Sequence, residues 1–293
     1  MYSSSFITLS EDNKPDTTKV EEAFMRATKW LHKKKEDFNP EMLKAKPVLN
    51  LIEEITAVLN QAVTFGIGDT KVDAEFTKNL TENIYVFSGF KTFHEMKEAA
   101  NMLVDDKGNR KPFNQYLNDI QTINSTYNKQ YLGAEYQFTT SSAQMAAKWG
   151  ELSEDEERYN LQYRTAGDSK VRKAHAALEG ITLPASDPFW NEFYTPNGFG
   201  CRCNVVKVRK SKYPQSDSSD SIKKGEEATA GKHAEMFRFN PGKQQAAYPA
   251  YNSYTIKSCS TCSDTGFKLA KTPKNELCAA CVVIRGLKNK RKE

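Results

Sequence analysis

The reading of one stretch decides the fold: YNLQYRTAGDSKVRKAHAALEGITLPASDPFWNEFYTPNGFGCRCNVVKV, residues 159–208. It opens with an extended piece over 159–165. Asp168 then stands where a helix N-cap is expected, and Gly180 is a natural residue just past a helix end. An irregular loop rich in aromatics and prolines follows, and CRCNVVKV reads as a second strand. Strand, helix, long loop and strand make a small α+β unit. Phe189 and Trp190 stand among prolines and turn residues, a setting that suits covering a core better than stacking bases.

Cys201 and Cys203 are two apart, so in an extended chain their sulfurs face one way and Arg202 the other. Such neighbours are poorly placed to bridge each other. They can grip one metal ion or pack as small hydrophobes. His175, on the helix between the two strands, is the third candidate ligand. With a water it would make an open site, and with a fourth protein ligand a structural one. Arg164, Asp168, Arg172 and Asp187 form a charged group in the same stretch. An active site or buried ion pairs holding the irregular loop to a helix would each explain it, and we adopt the buried ion pairs. No P-loop, Gly-rich dinucleotide turn, Ser–His–Asp order or H-E-x-x-H is present.

Towards the C-terminus, 211–250 reads as a linker or flexible loop and 251–293 as a module of its own. Cys259-x2-Cys262, 15 residues, and Cys278-x2-Cys281 have the spacing of a four-cysteine zinc site. Four thiolates close a tetrahedron, so this expected zinc is structural and supplies folding energy to a small module. The end of the chain is basic, and Lys288, Lys290, Arg291 and Lys292 are the candidate contacts to nucleic acid.

Towards the N-terminus, 1–20 is polar and expected to be flexible. Residues 21–155 read as a helical body: a helix over 20–35 with Val20, Phe24, Ala27 and Leu31 on one face, one starting at Pro47, shorter ones over 69–85 and 91–104, a long one over 113–132, then a short strand or loop and a helix near 141–152. The chain has 293 residues, 38% hydrophobic and 27% charged, with a formal charge of +5. No apolar run approaches the roughly 20 residues that cross a bilayer, so no membrane contact is expected. No basic start with an apolar core opens the chain, so secretion and disulfides are not expected.

The segment YRTAGDSKVRKAHAALEGITLPASDPFWNEFYTPNGFGCRC resembles the signature of phage minor head proteins, the head-morphogenesis family related to the F protein of phage Mu. Arg164, Asp168, Val171, Arg172, His175, Gly180, Asp187, Phe189, Trp190, the Pro196-Asn197-Gly198 turn and Cys201-Arg202-Cys203 carry the likeness. A weaker one reaches back through VFSGFKTFHEM, YNKQYLGAEYQF and SAQMAAKW. The four-cysteine tail is no part of it. The resemblance implies a structural, non-enzymatic virion protein of a tailed bacteriophage, with the portal, other head proteins and packaged DNA as partners. By the same resemblance it is expected in the phage head, and in host cytoplasm during assembly. The fold class expected is α+β: a mainly helical N-terminal body, a small α+β domain and a C-terminal zinc-ribbon-like module. The rivals are a nuclease or ADP-ribosyltransferase-like effector using Arg164, Asp168 and His175, and a zinc-ribbon nucleic-acid-binding protein.

Overall fold

A computed structural model of the chain describes residues 14–34, 36–231, 233–256 and 274–291. The described residues divide into two compact units, one drawing on 62–80 and 137–249 and the other on 14–61, 81–136, 250–256 and 274–291. The architecture is mostly helical with one small antiparallel sheet, so the α+β expectation holds at that level.

The helical elements follow from where apolar residues recur. Helix α1 (Thr18–Lys33) buries Val20, Phe24, Ala27 and Leu31 on one face, as their spacing requires. Helix α2 (Lys46–Ile67) carries its proline in the first turn, where the missing N–H costs nothing. Helix α3 (Ala74–Asn101) is one rod where two short helices with a turn between them were expected. Gly89 suggested that turn. In the structure it lies inside the helix, where an added Cβ would come 2.7 Å from Ile284. Its absence of a side chain lets helix α10 (Lys274–Lys290) approach closely. Helix α4 (Phe113–Asn124) passes through a π-helical stretch, Ser125–Tyr131, into helix α5 (Leu132–Ser153). The short strand or loop expected after 132 is therefore helical, because Phe138, Ala143 and Ala146 are buried at helical spacing.

In the other unit, strands β1 (Tyr159–Arg164), β2 (Thr182–Leu183) and β3 (Asn204–Arg209) form a sheet in the order β2-β1-β3. Leu161 pairs with Leu183 and with Lys207, and Arg164 pairs with Asn204. Between β1 and β2 lies a short helix, α6 (Lys173–Ala176), which starts later than expected. Asp168 does not cap it: Arg172 occupies that position. Gly180 ends the turn with φ +80°, a conformation that favours glycine. The aromatic loop carries helix α7 (Phe189–Glu192) and fills the core, with Phe189, Trp190 and Tyr194 fully buried against Tyr163 and Leu178. Burial of such side chains is worth about 1.5–3 kcal/mol each.

Residues 211–250 are not a linker. Helix α8 (Ser218–Ala228) is capped by Asp217, whose side chain accepts from the Asp220 amide at 2.9 Å. Ile222 and Ala228 pack against the sheet core. A Cβ on Gly225 would come 2.6 Å from the Phe193 ring, so the bare backbone of α8 lies directly on that ring. Helix α9 (Pro241–Gln244) follows, with Asn240 accepting from the Gly242 and Lys243 amides and donating to the Trp190 carbonyl at 2.8 Å.

Residues 274–291 do not form a knuckle either. Cys278 and Cys281 sit on α10, which buries Leu277, Ala280, Val283 and Ile284 within the helical unit. Cys259, Cys262 and the expected flexible N-terminal residues 1–13 lie outside the described residues.

Candidate metal centre

Cys201 and Cys203 fall just ahead of β3 rather than within it, yet both sulfurs face one way as the i, i+2 spacing requires. Gly200, at φ +68°, and a 3.1 Å bond from the Cys201 amide to the Gly198 carbonyl turn the chain into this position. His175 comes from α6. Its Nδ1 lies 3.7 Å from the sulfur of Cys201 and 3.7 Å from that of Cys203. All three ligand atoms lie within 4.8 Å of one another. His175 and Cys201 are buried, at 5% and 6% exposure, and Cys203 is half-buried.

The thiols respond to one another. The hydrogen bond from Cys203, followed by the His175 contact, pushes Cys201 well below the usual thiol range. Cys203 is pushed up by Cys201 and by burial. A pocket of about 70 Å³ opens beside the three ligands and is also lined by Lys170, Arg172 and Arg202.

The charged residues of this stretch do not converge. Arg202 grips Asp168 with both terminal guanidinium nitrogens, at 2.6 and 2.7 Å. That fork holds the Asp168 carboxyl down at about 2. Arg164 pairs instead with Glu179 at 3.3 Å, and Arg172 donates to the Phe199 carbonyl. Asp187 is buried and accepts from the Phe189 amide at 2.9 Å, so it is a local turn cap. The expected ion pairs therefore exist for Arg164 and Asp168, with other partners and at the surface. Trp190 is a core residue.

At the basic end, Lys288 pairs with Glu82 at 3.0 Å. Arg291 pairs with Glu53 at 3.1 Å and lies over the Tyr85 ring at 4.5 Å. Lys290 is exposed and Lys292 is outside the described residues. Cys278 and Cys281 are one helical turn apart on α10, and the Arg285 Nε approaches the Cys281 sulfur at 3.3 Å.

A second polar cluster escaped the sequence reading. In the helical unit, Lys91 is fully buried and pairs with Glu135 at 3.0 Å. It donates to the Tyr127 carbonyl at 2.8 Å and to the Tyr254 hydroxyl at 3.2 Å. Its ammonium also stands 5.2–5.9 Å from the rings of Tyr127, Tyr131 and Tyr254. Glu95, one turn along α3, is pushed up to about 8, mainly by burial, with Lys91 and an Asn128 hydrogen bond opposing. A signal was present: Lys91, His94 and Glu95 are spaced i, i+3, i+4 in FSGFKTFHEM, which puts three titratable groups on one helix face among aromatics.

Comparison with known proteins places this geometry. A family described as Phage Mu protein F like protein matches residues 53–206, more than half of the chain. The chain belongs to this family. The match takes in His175, Cys201 and Cys203 and excludes all four cysteines of the tail. The Mu-like prophage FluMu F protein of Haemophilus influenzae is 36% identical over 96 residues, 31% of this chain and 23% of that protein. The putative capsid assembly protein F of Escherichia phage Mu is 25% identical over 158 residues, 54% of this chain and 31% of that protein. The matched part thus spans less than a third of either relative. No solved structure matches. Among the described residues, no helix is long and apolar enough to cross a membrane.

Proposed function

We propose that the chain is a structural minor head protein of a tailed bacteriophage, acting in head morphogenesis near the portal and working by assembly rather than turnover. The observation that carries this reading is the family match over 53–206, joined to the likeness to a relative named as a putative capsid assembly protein. The site geometry is in keeping with it. Catalysis needs a nucleophile, a base and a charge stabiliser converging on one cleft. Here Arg164 and Asp168 are each held by a different surface partner, and neither pairs with His175. The other head proteins are the partners this role requires. Contact with packaged DNA through the basic end has less support, because Lys288 and Arg291 are engaged by carboxylates of their own chain.

The test is location. Mass spectrometry of purified virions and procapsids from cells producing the phage should find the chain in both, and cross-linking should join it to portal subunits. A chain confined to soluble cytoplasm would overturn the reading. So would a nuclease or transferase activity abolished by Asp168→Ala while incorporation into heads stays intact.

A further inference from the structure

The described residues offer three kinds of unassigned feature: the thiol–imidazole cluster beside the pocket, the buried Lys91 cluster, and the two cysteines on α10. In the Lys91 cluster the ammonium is already engaged by one ion pair and two hydrogen bonds. The α10 pair belongs to a set of four whose other half is not described. The first feature brings one imidazole nitrogen and two sulfurs to within 4.8 Å of one another.

From this geometry we propose that His175 Nδ1 and the sulfurs of Cys201 and Cys203 hold one zinc ion, with the fourth position open to solvent in the adjoining pocket. The proposal stands apart from the role in head assembly. Three observations carry it. First, one nitrogen stands 3.7 Å from two sulfurs at once. A single imidazole nitrogen hydrogen-bonds well to one of them, and the second contact is then unexplained. A metal between the three atoms satisfies all of them. In a tetrahedral site with Zn–S near 2.3 Å and Zn–N near 2.1 Å, ligand atoms are separated by about 3.6 Å, close to what is seen.

Second, the donor set is soft. Two thiolates and an imidazole suit zinc far better than magnesium or calcium, which take oxygen. Two thiolates also balance the ion's charge, so the cationic rim of Lys170, Arg172 and Arg202 is not set against a net positive centre.

Third, burial separates this arrangement from a catalytic thiol–imidazole pair. A nucleophilic sulfur must reach its substrate, whereas Cys201 is 6% exposed, and the imidazole is shared equally between the two sulfurs instead of being directed at the more accessible Cys203. The solvent side of the three atoms is the pocket itself, and no fourth His, Cys, Asp or Glu among the described residues joins the group. The ion would tie α6 to the entry of β3, with His175 and Cys201 26 positions apart in the sequence.

The four tail cysteines would confuse a zinc count, so the test uses the full chain carrying C259S and C262S. Purified from cells grown with zinc, it should hold one zinc per chain by mass spectrometry of the metal. X-ray absorption should show two sulfur and two nitrogen or oxygen neighbours. His175→Ala should lose the zinc. Because that variant can also fail to fold, His175→Cys serves as its partner: it should fold, keep one zinc and shift the first shell to three sulfurs. Cobalt substitution should give a thiolate charge-transfer band in the near ultraviolet, which Cys203→Ser should weaken by about half, because one of the two Co–S bonds remains. A folded C259S/C262S chain without zinc that also takes up no cobalt would overturn the proposal and leave the cysteines as core packing. Zinc retained by folded His175→Ala would overturn it equally.

Discussion

Lys91 in the helical unit and His175 in the sheet unit are both buried polar side chains, and their surroundings answer that burial in different ways. Around Lys91 every interaction needed is supplied by the protein: a carboxylate, a carbonyl, a hydroxyl and the faces of three tyrosine rings. Around His175 the neighbours are two thiols that both reach the same nitrogen, with a pocket alongside. The first arrangement is complete and would be damaged by losing any member. In the second, two sulfurs share one imidazole nitrogen beside a pocket. Buried polar groups must be paired, and the kind of pairing tells a structural network from a site built to receive something.

The largest expected effect breaks the complete side of this contrast. Lys91→Ala leaves Glu135 buried without its cation and should cost about 3–5 kcal/mol in urea denaturation. Replacing both partners, as Lys91→Met with Glu135→Leu, should recover much of that loss, because uncharged packing removes the desolvation penalty on both sides. If the single and double variants lose equally, the network is not held by this ion pair.

Glu95 sharpens the contrast through pH. Its folded value is raised from 4.5 to about 8, so it is the protonated form that the fold favours. The stability it contributes is therefore present in full below about pH 4.5, declines as pH rises, and is gone once pH has passed about 8. Each unit of such a shift corresponds to about 1.4 kcal/mol, so the decline amounts to a few kcal/mol. Glu95→Gln, which stays neutral, should flatten the fall in Tm across that window. A fall of unchanged steepness in the variant would assign it to other groups.

The smallest effect is expected at Asp168. Its fork with Arg202 is at the surface, and exposed pairs contribute up to about 1 kcal/mol. Asp168→Ala should therefore lower the thermal midpoint slightly and leave the zinc content unchanged. Loss of zinc in that variant would mean that Arg202 positions the cysteines, and the two sides of the CRC segment would not be independent.

Much of this was legible from residue order. The 3–4 spacing in α1 and the proline in the first turn of α2 located both helices. The i, i+2 rule placed both sulfurs of the CRC segment on one side, and His175 emerged as their partner from its place between the strands. Where the reading departed from the structure, the cause was environment. Helix α3 is apolar or buried on most sides, so its periodicity is faint, and Gly89 imitated a break. Helix α8 is polar apart from Ile222, and what orders it is contact of Gly225 with the Phe193 ring, which composition does not reveal. The second C-x2-C reads equally well as one turn of a helix, and the apolar spacing of Leu277, Ala280 and Ile284 was the sign that it is one. The partners of these charges were not legible, because contacts between Arg164 and Glu179, or Asp168 and Arg202, depend on how the loop folds back.

The π-helical stretch Ser125–Tyr131 has a consequence for how the chain can change in length. Each residue of an α-helix advances the direction of its side chain by about 100°. Deleting one residue from this stretch would let it relax to ordinary α-helix and swing the following turn by about that angle. Glu135 would leave Lys91, and the tyrosines would no longer enclose the ammonium. The tight turn at Asp105–Asn109, closed by its own hydrogen bonds, sets no such phase. Insertions and deletions in evolution are thus expected to gather at that turn and to be purged from the rod, which behaves as a fixed gauge despite being the least regular helix in the molecule.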